Sequence, residues 1–373
     1  MLPEEAVIRS LGETAERYSQ FLAGVSRRRD IIRRSWKNLV GAGEPVLERR
    51  LMEFFSSAQF DNPGFPFRPF APDCEMGWIK MPSLLPGGGP VWVPAQLVLV
   101  GYVVRDTEGE PWLSTAVTTG SAAHVNHLLA LRNSLLELIQ IDAAMGHWHS
   151  GAMAPRIELD SRTTRVERLI ATQFSRQGPR PSFYWLESAD LGCKIVACVI
   201  RDPEAIPRVG VGLGADLDLE HAMYKSMLEA VGVMQLAKVT LLDRATEERG
   251  AIDAEQIYDL DSNVAWYALP RNAAKIDTRF SDARVVKASQ LPGDGPTDAL
   301  GQVRSLVARF AETGKQLFVL DLTTRDIRKL GMVAVRVWSP NTAGLCFPSA
   351  PQARHVRYPA YGGFRDSGPH PYP

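Results

Sequence analysis

Hydrophobic and polar positions follow two different periods along this chain, which indicate both helices and strands. A helical period with strong helix formers covers residues 4–34, 128–144, 219–242 and 299–312. Apolar, β-branched runs predict strands at 91–105, 112–119, 316–320 and 332–338, and two strands within 182–201 around the turn ESADLG. Because strands occur in adjacent pairs as well as between helices, the pattern predicts a mixed α/β fold rather than a doubly wound parallel sheet.

Segments with neither period suggest how the chain is divided. Residues 61–72 read as a loop rich in proline and aromatic residues, and residues 289–298 as a turn-rich linker. From residue 339 onward the sequence is rich in Pro, Gly, Tyr and His and has no period. We therefore expect one domain over residues 1–338 and a tail over 339–373.

Composition and charge exclude several classes of protein. The 373 residues include 42 Lys+Arg and 42 Asp+Glu, which argues against a nucleic-acid binder that relies on positive charge. No apolar stretch is long enough to cross a bilayer, and the N-terminus lacks the apolar core of a signal peptide. The four cysteines are not spaced as a disulfide framework or a zinc site. We expect a cytoplasmic protein with reduced thiols and no membrane or nucleic-acid partner.

Three predicted helices carry the same polar signature, Ser-x-x-Glu. It occurs at residues 10–13, 134–137 and 226–229, and an alanine precedes each serine by four residues. Alanine and serine one turn apart make a narrow face that allows close packing, and each glutamate lies at the same helical phase. Glu137 is flanked by leucines and an isoleucine. A glutamate in such a setting is expensive to bury unless it is paired or metal-bound.

A second polar group follows the signature in two of the helices. Glu16 and Arg17 follow Glu13, and Gln140 follows Glu137. Residues i and i+3 share a helix face, so Glu13 and Glu16 would repel each other unless a cation compensates. Mg²⁺ is usually held by one or two carboxylates with substrate phosphates, so converging helices could build such a site. The alternative is a solvated helix face, because ExxE alone is a weak signal.

Small-residue segments precede the second and third of these helices. They are residues 115–124 and 209–216, and both are interpreted as turns that lead from a strand toward a helix. Such turns let backbone N–H groups approach phosphate. Neither matches a nucleotide-binding template, so a tight structural turn remains an equal alternative.

Two histidine pairs and one Cys–His pair suggest other chemistry. The pairs His124/His127 and His147/His149 have metal-ligand spacing, and the second is expected just after a helix end. The further ligands of a closed zinc site are not evident, which disfavours zinc. Cys346 lies near His355 in the sequence only, which does not establish a catalytic dyad.

Taken together, these stretches resemble the YcaO family over nearly the whole chain. SLGETAERYS resembles the family's first nucleotide-binding helix, and TTGSAAH followed by ALRNSLLELIQIDA resembles the second. GVGLGADLDLEHAMYKSMLEA resembles the third, and DLTTRDIRKLGMVAVRV resembles the segment near the end of the family domain. The closing HPYP resembles the proline-rich C-terminus of azoline-forming members.

The resemblance implies a YcaO-type ATP-binding fold and an ATP-dependent peptide cyclodehydratase. In azoline-forming members a Cys, Ser or Thr side chain attacks the preceding carbonyl of a ribosomal peptide. ATP then phosphorylates the amide oxygen, and loss of phosphate leaves a thiazoline or oxazoline. Two alternatives stay open: thioamide or macroamidine formation by the same amide activation, and a non-catalytic, partner-binding member.

The resemblance also implies roles for individual residues. Mg²⁺ ligands would be Glu13, Glu16, Glu137 and Glu229. Nucleotide or phosphate would be held by Ser10, Arg17, Gln140 and Arg336, since arginine offers a fixed fork of donors. The tail would reach the active site, so that Pro373, with its terminal carboxylate, and Arg336 are the predicted catalytic residues.

Three departures from the family pattern motivate the non-catalytic alternative and bear on the number of metal ions. Gly232 stands where a polar amide is often seen, Gln140 replaces a common glutamate, and the chain begins almost at the first motif. The sequence shows no second domain able to recognise the leader of a precursor peptide, so we expect a separate partner that resembles the ubiquitin-activating-like, leader-binding proteins. A flavin-dependent azoline dehydrogenase is a further expected partner, and the chain is expected as a homodimer or part of a hetero-complex.

Overall fold

The chain folds into two compact units, each built from separate stretches of sequence. A computed structural model describes residues 3–175, 178–247, 250–281 and 283–373. Unit 1 comprises the described residues of Met1–Ile141, Thr297–Cys346 and Gln352–Arg357. Unit 2 comprises those of Asp142–Pro296, Phe347–Pro351 and Tyr358–Pro373.

Both units contain helices and strands, with several strands in succession as well as strands between helices. The α-helices are α1 Pro3–Ser26, α2 Trp36–Gly41, α3 Ser57–Phe60, α4 Ala95–Val98, α5 His127–Ser150, α6 Thr164–Gln173, α7 Leu219–Thr246, α8 Leu260–Ala268, α9 Pro270–Asp277, α10 Ala299–Glu312 and α11 Arg325–Lys329. The strands are β1 Ile31–Ser35, β2 Glu75–Met81, β3 Val91–Pro94, β4 Ser121–His124, β5 Arg156–Glu158, β6 Pro181–Leu186, β7 Lys194–Arg201, β8 Val209–Asp216, β9 Val285–Lys287, β10 Phe318–Asp321 and β11 Val333–Trp338. The predicted mixed α/β fold is confirmed.

Unit 1 contains two antiparallel three-stranded sheets, with strand orders β1-β2-β3 and β10-β11-β4. In the second sheet β11 is central, and its Arg336 lies opposite Ser121 on one side and Leu320 on the other. Helix α1 packs against β4 and β11. The buried Ser134 hydroxyl of α5 donates to the carbonyls of Ala130, at 3.0 Å, and Val335, at 3.4 Å. The small serine therefore joins α5 directly to the central strand.

Unit 2 is built around a five-stranded sheet of order β8-β7-β6-β5-β9. Strands β5 and β9 run parallel, and the other neighbours are antiparallel. Helix α7 packs on β7 and β8. Its Ala222, Met227 and Ala230 share a core with Phe183 and Cys198 of the sheet. Burial of this apolar surface is the main source of the unit's stability.

The glycine-rich segment before α7 is a buried strand, so its prediction as a turn was wrong. It forms β8, paired over all eight residues with β7. A Cβ atom added at Gly212 would lie 2.1 Å from the amide nitrogen of Ala230, and one at Gly214 would lie 2.1 Å from the carbonyl oxygen of Ala222. Glycine is required because the helix backbone approaches the strand this closely.

The helices predicted at 128–144, 219–242 and 299–312 are confirmed, although the first two extend further than expected. The strands predicted at 316–320 and 332–338 and the pair within 182–201 are confirmed as well. The turn expected over 115–124 is present at Gly120, whose φ is +78° and whose carbonyl accepts from the N–H of Val337 at 2.7 Å, but the last four residues of that segment form strand β4. Strong periodicity over many residues therefore identified the long elements correctly.

Three predicted elements were wrong in part or in full. The helix expected over 4–34 ends at Ser26, because residues 31–35 pair with β2 as strand β1. The strand expected over 91–105 stops at Pro94, where a short helix begins. Residues 112–119 form no strand, since Trp112 and Leu113 bond to a loop amide and to the Gln96 side chain instead.

All four cysteines are free. Across the described ranges, no helix is both long enough and apolar enough to cross a membrane.

Replacing Gly212 by Val should destabilise the protein, because its side chain would collide with the backbone of α7. We expect a loss of about 1–3 kcal/mol or more in the free energy of unfolding, measured by urea denaturation. Gly232→Ala is the matched control, since Gly232 lies on the exposed face of the same helix with open space around it. The control should be neutral or stabilising by up to about 1 kcal/mol. Equal stability of Gly212→Val and the unaltered protein would refute the packing argument.

Candidate active site

Unit 1 contains a candidate active site. An arginine that is buried in the middle of a sheet lies at its centre. Arg336 belongs to the central strand β11 and is 2% exposed. Burial lowers the pKa of its guanidinium to about 10, while the charges of Glu137 and Glu16 oppose that shift. The two carboxylates come from α5 and α1, the helices that carry the Ser-x-x-Glu signature. The structure thus brings together three of the predicted site residues.

The carboxyl group of Glu16 is only partly hydrated. Burial raises its pKa to about 8, with a smaller contribution from the charge of Glu13, whereas Arg17 and Arg336 act in the opposite direction. A carboxyl group with this pKa is mostly protonated at neutral pH. A cation next to it would favour the ionised form. Glu16 is therefore suited to bind a cation that is not part of the protein.

Several polar atoms around Arg336 have no partner in the described part of the chain. The Nε and Nη1 atoms of Arg336 are buried without a hydrogen bond, as are the Ser121 hydroxyl and the Oε1 atom of Gln20. Arg336 also lines a cavity of about 50 Å³, together with Thr115 and Thr119 among others. Buried polar groups are nearly always hydrogen-bonded, so these atoms indicate a ligand or ordered water. The two arginine donors suit an anion such as phosphate.

Gln20 and Ser121 belong to this site although sequence reasoning did not identify them. The Nε2 atom of Gln20 donates to the carbonyl of Thr118 at 3.1 Å, which ties α1 to the turn before β4. Ser121 lies directly opposite Arg336 in the sheet. The spacing Glu13–Glu16–Gln20 along one helix face could have indicated the first. Only the register of β4 against β11 reveals the second.

Other predicted residues on these helices lie further toward solvent. Glu13 and Arg17 are exposed and form an ion pair with each other, with 3.0 Å between Oε1 and Nη2. Ser10 is exposed, and its carbonyl accepts from the Thr14 hydroxyl at 2.7 Å. Gln140 is partly buried on α5. The expected repulsion between Glu13 and Glu16 is thus relieved in part by Arg17.

The donor set fits a nucleotide with Mg²⁺ better than a bare metal. Within the described residues, no three His, Cys, Asp or Glu side chains lie close enough to hold a metal ion by themselves. Mg²⁺ commonly takes one or two carboxylates and completes its shell with phosphate oxygens and water. Glu16 and Glu137 can supply the carboxylates, and Arg336 can pair with a phosphate. These residues therefore fit the group that the sequence resemblance implies.

Glu229 belongs to unit 2 and occupies its own buried setting. Its carboxylate accepts a hydrogen bond from the backbone of Leu213 on β8, but burial is the stronger effect and raises its pKa to about 8. The tight contact between α7 and the glycines of β8 fixes the helix that carries it. Like Glu16, the side chain of Glu229 is therefore mostly protonated at neutral pH.

The end of the C-terminal tail, residues 369–372, packs along α8 in unit 2. The buried Asn263 amide donates to the carbonyls of His370, at 2.9 Å, and Tyr372, at 2.7 Å. Tyr267 donates to the carbonyl of Pro369. Pro373 at the end of the chain is partly buried. Neither Asn263 nor Tyr267 was singled out from the sequence, because their partners are more than a hundred residues away.

Tyr372 brings the tail near the third glutamate. Its hydroxyl is buried without a hydrogen-bond partner among the described residues. Burial raises its pKa, and the charge of Glu229 contributes in the same direction. The charge of Glu229 therefore influences the end of the tail within unit 2.

The histidine pairs do not form a metal site within the described residues. His147 and His149 lie inside α5 and not after it, so their predicted position was wrong. Burial lowers the pKa of His149 to about 4, and its ring Nδ1 bonds the carbonyl of Asp366 at 2.7 Å. The helix continues to Ser150 because this packing outweighs the modest helix propensity of histidine and tryptophan.

A family model described as YcaO cyclodehydratase, ATP- and Mg²⁺-binding, matches residues 1–343. The chain therefore belongs to the YcaO cyclodehydratase family. A search of curated proteins found no significant match.

Solved structures show the same fold at low sequence identity. A heterocyclase in complex with substrate and cofactor is 18% identical with a TM-score of 0.72, over 96% of this chain and 46% of that chain. YcaO from Methanopyrus kandleri, bound with AMPPCP and Mg²⁺, is 18% identical with a TM-score of 0.58, over 87% of this chain and 73% of that one. A chain of the E. coli microcin synthetase McbBCD complex is 11% identical with a TM-score of 0.59, over 97% and 87%. This chain thus spans about half the length of the first of them.

The stability that Glu16 contributes should fall as pH rises from about 4.5 to 8, because the folded protein holds a proton on Glu16 that the unfolded chain releases near its usual pKa of 4.5. Glu16→Gln removes this dependence for one group. Urea denaturation across this range should show the variant gaining on the unaltered protein by up to about 1.4 kcal/mol per pH unit. Glu312→Gln, at an exposed ion pair, is the control. If the free energy of unfolding changed with pH in the same way for all three proteins, Glu16 would have an ordinary pKa and the prediction would be wrong.

Proposed function

We propose that this protein converts Cys, Ser or Thr residues of a ribosomal precursor peptide to thiazolines or oxazolines by ATP-dependent phosphorylation of the preceding amide oxygen. The observation that carries the proposal is Arg336, a buried arginine with two unpartnered donors, near the carboxylates of Glu16 and Glu137. Membership of a cyclodehydratase family that binds ATP and Mg²⁺ gives the reaction class. The heterocyclase structure with substrate and cofactor, and the microcin synthetase complex, support a peptide substrate.

The proposed roles in unit 1 follow from the chemistry of its side chains. Arg336 holds phosphate oxygens through its free donors, and the Ser121 hydroxyl is a further donor beside it. Glu16 and Glu137 hold Mg²⁺, which when bound neutralises charge on the transferred phosphoryl group. Ser10, Glu13, Arg17 and Gln140 are proposed to contact the nucleotide or its metal from the outer part of α1 and α5. Glu229 is proposed as a further metal ligand.

The raised pKa of Glu16 has a consequence for cation binding. A carboxyl group must lose its proton to become a good ligand, so binding at neutral pH is expected to release a proton from Glu16. The apparent affinity for Mg²⁺ and nucleotide should then increase as pH rises toward 8. Arg336, which remains charged throughout this range, keeps the phosphate donors in place.

The tail is proposed to take part in catalysis through its terminal carboxylate. Cyclisation requires that the attacking Cys, Ser or Thr lose a proton, which is a task for a positioned base. The contacts from Asn263 and Tyr267 to the tail support this role, because they hold residues 369–372 in one conformation. Pro371 and Pro373 restrict the backbone further. The effect of the Glu229 charge on the pKa of Tyr372 supports a position of the tail near this proposed metal ligand.

Partners are proposed from the same relatives. The structurally similar chain of the microcin synthetase belongs to a complex, which supports a hetero-complex here as well. We propose a ubiquitin-activating-like partner that binds the leader of the precursor, and a flavin-dependent dehydrogenase that oxidises azoline to azole.

Replacing Glu16 or Glu137 by Gln should abolish cyclisation, since the neutral amide cannot balance the charge of Mg²⁺. We expect at least an about 100-fold loss in the rate of ATP consumption with precursor and partner present. Mass spectrometry should show one water lost per ring with the unaltered protein and intact precursor with either variant. Glu312→Gln keeps the same chemical change on an exposed helix and should remain fully active.

The product mass separates the alternatives. Exchange of oxygen for sulfur would indicate thioamide formation, and a macrocycle without azoline would indicate an amidine. Calorimetry that finds no affinity for ATP with Mg²⁺ would favour a non-catalytic member. Normal turnover by both glutamate variants would sink the proposed roles of Glu16 and Glu137.

Adding one glycine after Pro373 should impair cyclisation by about tenfold or more, because it moves the terminal carboxylate away from its position. Pro373→Ala is the matched control, since it changes the side chain and leaves the carboxylate at the same chain length. The rate of azoline formation is measured for both variants, together with nucleotide affinity, which neither should change. Full activity of the lengthened chain would remove the carboxylate from the mechanism.

A further inference from the structure

The outer face of helix α1 carries a regular stripe of mostly apolar side chains. Its positions follow one another at alternating intervals of four and three residues: Val7, Leu11, Thr14, Tyr18, Phe21 and Val25. All of them are exposed, Leu11 at 62% and Phe21 at 65%. This spacing is that of a coiled-coil seam, along which two helices pack over their whole length.

The opposite face of α1 is already used within unit 1. Ala15, Gln20 and Ala23 are buried, and the helix packs against β4 and β11. A surface helix with one buried face normally presents charged and polar residues on the other face. A continuous apolar stripe of about five turns on the exposed side is therefore a mark of an interaction surface.

The two ends of the stripe differ in charge. Glu4 and Glu5 lie in the first turn of α1. Three arginines, residues 27–29, follow directly after the helix ends at Ser26. Glu4 and Arg28 are both exposed. A partner helix that fits this face must therefore be apolar along its length, basic beside the start of α1 and acidic beside its end.

A second copy of α1 in the antiparallel direction has this apolar pattern. In an antiparallel seam, every position faces a stripe position of the other helix. In one register all stripe positions pair at the same time: Val7 with Val25 of the second copy, Leu11 with Phe21, and Thr14 with Tyr18. A two-fold axis then repeats each contact, which is the geometry of an isologous dimer.

The same register also matches the charges. It sets Glu4 beside Arg28 of the second copy and Glu5 beside Arg27, and the two-fold axis repeats both pairs. In a parallel pair, the glutamates would lie together at one end and the arginines at the other, and like charges repel. Charge complementarity therefore selects the antiparallel arrangement and a second copy of this chain as the occupant.

We propose that the exposed face of α1 is the self-association surface of this protein, at which two copies pair as antiparallel helices. The proposal goes beyond the proposed reaction and does not depend on it. Glu16 and Gln20 lie on the opposite side of the helix from the stripe, so the second copy would not contact them. Pairing would instead hold the helix that carries Glu16 from its outer side.

Replacing Leu11 by Arg tests the apolar seam, because the two-fold axis would bury two unpaired charges. Sedimentation of the full chain over about 1–100 μM should show dimers of the unaltered protein and at least about 100-fold weaker association of the variant. Circular dichroism should be unchanged, since Leu11 is exposed. Leu242→Arg is the matched control at an exposed leucine of α7, and it should dimerise normally.

Exchanging the end charges tests the register and the identity of the occupant. Glu4→Arg and Arg28→Glu should each weaken dimerisation by about tenfold at low salt, because attraction becomes repulsion at two symmetric places. The double variant should recover the affinity, since each copy then supplies the charge that the other one needs. A partner other than this chain would not produce that recovery.

Three outcomes would overturn the proposal. They are a single chain at every concentration of the unaltered protein, dimers of Leu11→Arg as tight as those of the unaltered protein, and a double charge variant no tighter than the single ones. The first of these would leave the stripe to a helix of a different protein.

Discussion

The proposed nucleotide site depends on one constraint, which is that the buried positive charge of Arg336 must be compensated by opposite charges. Arg336 sits in the central strand of its sheet, where removing a guanidinium from water costs several kcal/mol unless opposite charges compensate. Glu16 and Glu137 provide that compensation from two different helices. Since each is only partly ionised or partly exposed, the balance is incomplete without a ligand. The strand, the two helices and the small residues that join them all serve to hold these three charges together.

The sequence allowed the glutamates of this site to be predicted, because helical phase is a local property. The signature placed Glu137 on a packed helix, the polar group that follows the first signature placed Glu16, and the resemblance added Arg336. Ser121 could not be found in this way, since its importance comes from the register of two strands far apart in the chain. Gln20 shares the helix face of Glu13 and Glu16 and could have been predicted from that spacing. It was not, because an uncharged side chain is a weaker signal of a metal or phosphate site. A local sequence pattern gives no information about which strands pair over a long distance in the chain, or in which register.

Two of the errors in the predicted fold arose because amino-acid composition does not show where the backbone finds its hydrogen-bond partners. Residues 209–216 alternate glycine with apolar residues, and the glycines were interpreted as a turn because isolated glycine favours turns. In a strand that faces a helix closely, the same residues are a packing requirement. Residues 112–119 gave the opposite error: their apolar, β-branched composition predicts a strand, yet they bond to a loop and to a glutamine side chain. Composition identified burial in both segments but not the hydrogen-bond partner.

The contact between β8 and α7 also limits how the position of Glu229 can change. A glutamate on an ordinary helix can shift by a small slide or rotation of the helix, since intervening side chains adjust. Here backbone lies against backbone at Gly212 and Gly214, so no flexible layer exists to absorb such a movement. The position of Glu229 along β8 is thereby fixed. Repositioning this carboxylate by design would require a new strand and a new helix together.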